Sequence, residues 1–174
     1  HLVEPEKPID LASAPTGSTG SGVGKDEAKK VAQKHLERID ELQEVLFAQG
    51  KHAVLIVFQA IDAGGKDSTI RGVFAPLNPQ GVSVAGFGVP TPLELAHDYL
   101  WRYHMACPRR GHITIFNRSH YESVLVERVK QIVPQEVWRR RYGEINAFER
   151  MLVEEGTTIL KFFLHVSKQE QAER

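Results

Sequence analysis

The sequence is short of the features that carry a chain out of the cell or into a membrane. It holds one cysteine, Cys107, in 174 residues, so no internal disulfide forms and a reducing compartment fits. No apolar run approaches the ~20 residues of a membrane-spanning helix, and no signal peptide is visible. A cytoplasmic protein without a membrane partner is expected. Surplus charge is also lacking, because 22 Lys and Arg face 22 Asp and Glu. That balance excludes bulk attraction to nucleic acid, and any anion site must come from local clustering. Such clustering exists: between Leu100 and Arg150 ten Lys and Arg stand against five acids. With 41% hydrophobic residues, the chain suits one globular domain.

The first 24 residues, with Pro5, Pro8, Pro15 and the run TGSTGSGVG, bury too little to offset their ordering entropy and predict a flexible arm. GVGKD (Gly22 to Asp26) has the look of a phosphate loop, but no strand precedes it, and Asp26 reads better as a helix N-cap. Apolar residues at Val31, Leu36, Ile39, Leu42, Val45 and Leu46 predict an amphipathic helix from Glu27 to Gln49, stopped by Gly50.

The informative stretch follows. AVLIVFQA (53–60) is a continuous apolar run, the mark of a buried parallel strand. It leads through IDAGG to Lys66 and a helix-compatible segment ending near Phe74. A glycine-containing loop between strand and helix offers free N–H groups and the positive end of the helix dipole to an anion. The loop departs from G-x-x-x-x-G-K-[ST] at both ends, with Ala60 for the first Gly and Asp67 for the metal-binding Ser or Thr. The candidate phosphate site is therefore Ala63, Gly64, Gly65, Lys66, Asp67 and Ser68, with Arg71 one helical turn on. Asp62, beside a polyanion, is repelled unless a cation intervenes or it accepts a proton from the nucleophile; the bland alternative is an Asx-turn residue holding the loop.

Beyond it, VSVAGF predicts a strand, and TPLE starts a helix by a capping box with Pro92 at its first position; that helix is expected to run to about Cys107. HITIFN (112–117) is the next strand, Ser119 to Val129 a helix, Gln135 to Glu155 a longer one, and Thr158 to Val166 a fourth strand. The SKQE capping box then opens another helix. Strands separated by helices imply crossovers, and hence an α/β three-layer sandwich with a mostly parallel sheet and helices on both faces.

At the end of HITIF, FNRSHYE offers Asn117 as an oxygen ligand, Arg118 as a planar phosphate fork and Glu122 as a carboxylate. Glu122 has an equal rival role closing a capping box with Ser119, and His120 reads equally as packed, surface or catalytic. The arginines of WRRRY (138–142) fan about 100° apart around a helix, so a solvated face is the leading reading there.

These blocks resemble the family-2 polyphosphate kinases, P-loop enzymes that move phosphoryl groups between inorganic polyphosphate and nucleotides. The likeness runs from about Leu42 onward through DAGGKDSTIRGVFAPLNPQG, VPTPLELAHDYLWR, FNRSHYESVLVERV, RRRYGEINAFERML and FFLHVSKQEQ. It implies a P-loop kinase domain over residues 25–174 that transfers phosphoryl groups reversibly between polyphosphate and AMP or ADP, with ATP among its nucleotides. Dependence on Mg²⁺ (or Mn²⁺) is implied, with Asp62, Asn117 and Glu122 on the metal, Asp62, Lys66 and Arg118 catalytic, and a homo-oligomer, dimer or tetramer. FNRSHYE, with Asn117 where many members have Asp, resembles the subgroup acting on both AMP and ADP. Members continue past residue 174 with a lid, and Gly88 stands where close relatives carry a lysine. The rival readings from the residues are an ATP-dependent kinase of a nucleoside, nucleotide or other small molecule, and a non-catalytic nucleotide- or polyanion-binding module.

Overall fold

The computed structural model describes residues 2–4, 7–17 and 24–174. Residues 1, 5, 6 and 18–23 of the expected arm lie outside them, and with them the start of GVGKD. The first helix, α1 (Lys25–Gln49), is capped by Gly24, so Asp26 sits in its first turn and is not the N-cap. Gly50 ends it in the left-handed region (φ 58°), its N–H donating to the Leu46 carbonyl at 3.1 Å, a conformation glycine adopts without penalty.

The chain then alternates strand and helix: β1 (Ala53–Ala60), α2 (Lys66–Phe74), β2 (Val82–Gly86), α3 (Pro92–Leu95), α4 (Trp101–Met105), β3 (Ile113–Asn117), α5 (Glu122–Val129), α6 (Gln135–Glu154), β4 (Thr157–Leu164) and α7 (Lys168–Glu173). The four strands form one parallel sheet in the order β2-β3-β1-β4, with Val57 opposite both Phe116 and Lys161. Leu55, Val57 and Phe116 on one face meet Tyr103 of α4 and Phe148 and Leu152 of α6. Ile56, Phe58 and Ile115 on the other meet Ile70 and Phe74 of α2 and Leu46 of α1. The three layers are therefore as expected, and the central strands are apolar throughout because both faces are covered. Fully buried side chains such as Leu55, Ile115 and Phe116 each contribute about 2 kcal/mol.

Two expectations are corrected. The helix opened by the Thr91 capping box, in which Thr91 N–H donates to Glu94 Oε2 at 2.7 Å, lasts one turn. Asp98 Oδ1 then accepts from the N–H groups of Leu100 and Trp101 at 2.9 and 3.1 Å, restarting the chain as α4. Likewise α5 begins at Glu122 and not Ser119, without a side-chain cap.

The connection from β1 leads to β2 on one side, and that from β3 leads past β1 to β4 on the other. The crevice between the C-terminal ends of β1 and β3 is thus the topological switch point, where ligands of such sheets bind.

Candidate active site

A cavity of about 720 Å³ opens at that crevice, lined by the loop from Asp62 to Ser68, Arg71, the Gly86 to Gly88 segment after β2, Asn117, Arg118 and Arg174. In the loop, Gly64 N–H donates to the Ile61 carbonyl at 3.0 Å. Ala63 and Gly65 flank it with φ of 59° and 88°. The Gly64 amide is thereby committed to the turn, whereas the N–H groups of Gly65, Lys66, Asp67 and Ser68 have no protein acceptor among the described residues. They are the unpaired donors that every helix N-terminus leaves, presented here with the positive end of α2.

The alanine in place of the first motif glycine has a local consequence. A Cβ on Gly64 would stand 2.5 Å from Ala60 Cβ and 2.8 Å from the Ile61 carbonyl oxygen, so the glycine needed for close approach lies at 64. Gly64→Ala is expected to destabilise by about 2 kcal/mol, lowering the melting temperature by roughly 5 °C in a domain of this size; a thermal melt checks it.

Four cations face the cavity, Lys66, Arg71, Arg118 and Arg174, against two carboxylates, Asp62 and Asp67. Lys66 Nζ donates to the Ala60 carbonyl at 3.2 Å. Arg118 adopts φ 65°, which turns its guanidinium to within 3.8 Å of Asp62 Oδ1. The Asp62 side chain is 92% exposed and makes no hydrogen bond to loop backbone among the described residues, so it is not an Asx-turn residue. Asn117 Nδ2 donates to Asp67 Oδ1 at 2.5 Å, joining β3 to the loop across 50 residues of sequence.

Glu122 does not line this cavity. Its carboxylate faces the Gln59 side-chain amide, 3.1 Å away with that amide turned to donate, and it closes no capping box with Ser119. The WRRRY arginines also lie elsewhere: Arg140 pairs with Glu144, and Arg141 pairs with Glu127 and stacks on Tyr99. Arg174 was not legible as a site residue. It donates to the Ala63 carbonyl at 3.4 Å, and Gln171 of the same helix donates to the Asp62 carbonyl at 2.8 Å. The only sequence signal for this placement is the Ser167 cap that sets the start of α7.

Behind the cavity His120 is wholly buried. Its Nε2 lies 3.1 Å from Glu149 Oε1, which also accepts from Tyr121 Oη at 2.6 Å; Lys161 Nζ donates to Glu149 Oε2 at 2.7 Å. Burial alone would raise the Glu149 carboxyl, but the bonds from His120, Lys161 and Tyr121 outweigh it and hold it at about 2, against an ordinary 4.5. A depressed folded value gives stability that is complete above the unfolded value and lost as pH falls through the folded one. Stability should therefore drop by about 3 kcal/mol between roughly pH 4.5 and 2 on this account, and Glu149→Gln should flatten that segment of an acid-unfolding curve. Burial pushes the Cys107 thiol up to about 12, so the single cysteine is an inert packing residue.

No described helix is long and apolar enough to cross a membrane. The family described as Polyphosphate kinase 2 (PPK2) matches residues 22–174. The AMP/ADP-polyphosphate phosphotransferase of Meiothermus ruber is 57% identical over 175 residues, covering 100% of this chain and 66% of that protein. The ADP-polyphosphate phosphotransferase of Rhodopseudomonas palustris is 43% identical, covering 95% and 62%. The crystal structure of Polyphosphate Kinase 2 from Arthrobacter aurescens TC1 superposes with a TM-score of 0.91 at 39% identity, covering 95% of this chain and 60% of that one. The chain thus spans two thirds or less of the length of these relatives. With a match over residues 22–174, an unbroken run of parallel strands and a glycine loop at the switch point, the chain belongs to the polyphosphate kinase 2 family.

Proposed function

We propose that the protein is a cytoplasmic polyphosphate-dependent nucleotide kinase, transferring phosphoryl groups reversibly from inorganic polyphosphate to AMP, ADP or both. The observation that carries this reading is the cavity itself: among the described residues four cations and the free amides at the start of α2 line an open groove, together with two exposed carboxylates, Asp62 and Asp67. Phosphoryl transfer needs positioning and charge neutralisation more than covalent chemistry. The amides of Gly65 to Ser68 and Lys66 hold phosphate oxygens, Arg118 clamps the transferred group, and Arg71 and Arg174 extend the cationic wall toward the rest of the chain. Asp62 orients the acceptor phosphate.

The residues fit Mg²⁺, with Mn²⁺ as a substitute. Among the described residues no three His, Cys, Asp or Glu side chains cluster as a prebuilt metal site, but Mg²⁺ is commonly held by one or two carboxylates together with substrate phosphates. Asp62 and Asp67 supply hard oxygens. Asn117, donating through Nδ2, keeps its amide oxygen without a protein partner among the described residues. When bound, the ion neutralises charge on the transferring phosphates. Glu122 belongs to this set only if it leaves Gln59. A homo-oligomer, dimer or tetramer, goes with this reading, supported by the exposed Val31, Leu42 and Val45 on α1.

Donor exchange tests the assignment. With AMP as acceptor, ADP should form with polyphosphate and not with ATP as the phosphoryl donor; an ATP-dependent small-molecule kinase predicts turnover without polyphosphate, and a binding module predicts none. Gly88 offers a second check, because a Cβ there meets nothing within 4 Å. Gly88→Lys should lower the KM for polyphosphate about fivefold at low salt, as one added cation near a polyanion is worth about 1 kcal/mol, and the gain should shrink with ionic strength.

A further inference from the structure

Arg118 is a non-glycine residue held at φ 65°, a conformation that persists only where the surroundings over-determine it. What holds it is visible in the next three residues. Ser119 and His120 are both fully buried. Ser119 Oγ lies 2.9 Å from the Gln59 side-chain amide on β1 and accepts from Tyr121 N–H at 3.3 Å. The His120 ring packs among Tyr103, Tyr121 and Phe148 and reaches Glu149 of α6 through Nε2. Tyr121 Oη meets the same carboxylate, and Lys161 of β4 closes the circuit to both, 2.7 Å from Glu149 and 3.1 Å from Tyr121.

We propose that Glu149, with Lys161 behind it, is a positioning residue: through His120 and Tyr121 it fixes the strained turn that aims the Arg118 guanidinium across the cavity. Glu149, Tyr121 and Lys161 do not line the cavity, so they act through the turn. The cluster is not simply the most stable packing. Facing a carboxylate, Nε2 donates, and Nδ1 is buried without a partner among the described residues, a cost that an apolar side chain would avoid. What directional bonds add over apolar contacts is a single ring orientation, and hence one backbone path at residues 118 to 121.

This rests on the reading that Arg118 grips the transferred phosphoryl group, and a double-mutant cycle separates the two claims. Glu149→Gln and the milder Tyr121→Phe are each made with Arg118 present and in Arg118→Ala. With Arg118 present, kcat should fall about tenfold for Glu149→Gln and about threefold for Tyr121→Phe, since small misplacement of a clamp is costly, with the KM for nucleotide unchanged. In Arg118→Ala the same changes should alter kcat less than about twofold, because the group they aim is gone. Lys161→Arg should retain the rate and Lys161→Met should lose it as Tyr121→Phe does. Equal losses in both backgrounds would overturn the proposal while leaving the role of Arg118 intact. Full activity of Arg118→Ala would overturn both.

Discussion

Lys66→Ala is expected to lower turnover by about 10³-fold while the protein stays folded. Lys66 starts α2 at the point where the loop amides converge, and its ammonium rests on the Ala60 carbonyl at 3.2 Å. The substitution removes one charge-assisted donor from the charge that develops on the transferring group, an interaction worth roughly 10²–10³ in rate for a single preorganised donor, together with its Coulombic share in an open groove. The structural loss is one part-buried hydrogen bond, about 1 kcal/mol. Lys66→Arg should restore little, because a planar fork does not replace a compact ammonium inside the loop. Steady-state kinetics with polyphosphate as the varied substrate, alongside a melt, checks this. A loss seen only in KM would mean that Lys66 binds ground state and transition state equally.

Asp62→Asn is the second large effect, with kcat falling about 10²-fold. The side chain is 92% exposed and its one charged partner among the described residues, Arg118, stands 3.8 Å away, so the fold does not depend on it. The change keeps size and removes charge. If Asp62 orients the acceptor phosphate and supplies an oxygen to Mg²⁺, the variant should also need more Mg²⁺ for half-maximal rate. A variant indistinguishable from the parent at every Mg²⁺ concentration would remove Asp62 from the mechanism.

The sequence revealed these two residues, and much of the frame around them, because the signal was local. An eight-residue run, apolar but for Gln59, followed by a glycine loop and a helix start is read within seventeen consecutive residues, and β1 and α2 lie where the pattern put them. Signals that depend on remote partners were less legible. The break between α3 and α4 follows from Asp98 capping the next turn, which competes with continuation of the helix and leaves no periodic trace. Glu122 carries capping-box spacing, yet its carboxylate turns to Gln59 of β1. On α1 Leu36, Ile39 and Leu46 are part-buried with Gln43 fully buried between them, while Val31, Leu42 and Val45 are exposed, so the apolar spacing marks the helix without marking every buried position. Asp67 with Asn117, and His120 with Glu149, are 50 and 29 residues apart, so only the folded chain brings them together. Arg174 belongs to the same class, reaching the Ala63 carbonyl from 111 residues away.

Transfer of a phosphoryl group from polyphosphate to the terminal phosphate of a nucleotide can be followed directly. Polyphosphate labelled with ³²P in its terminal groups, incubated with the purified protein, AMP and Mg²⁺, tests it in one step. Label is expected in the β-phosphate of ADP, appearing as the polyphosphate loses its ends, and nearly absent with Lys66→Ala. Label released only as inorganic phosphate, with none in ADP, would rule out transfer from polyphosphate to the nucleotide.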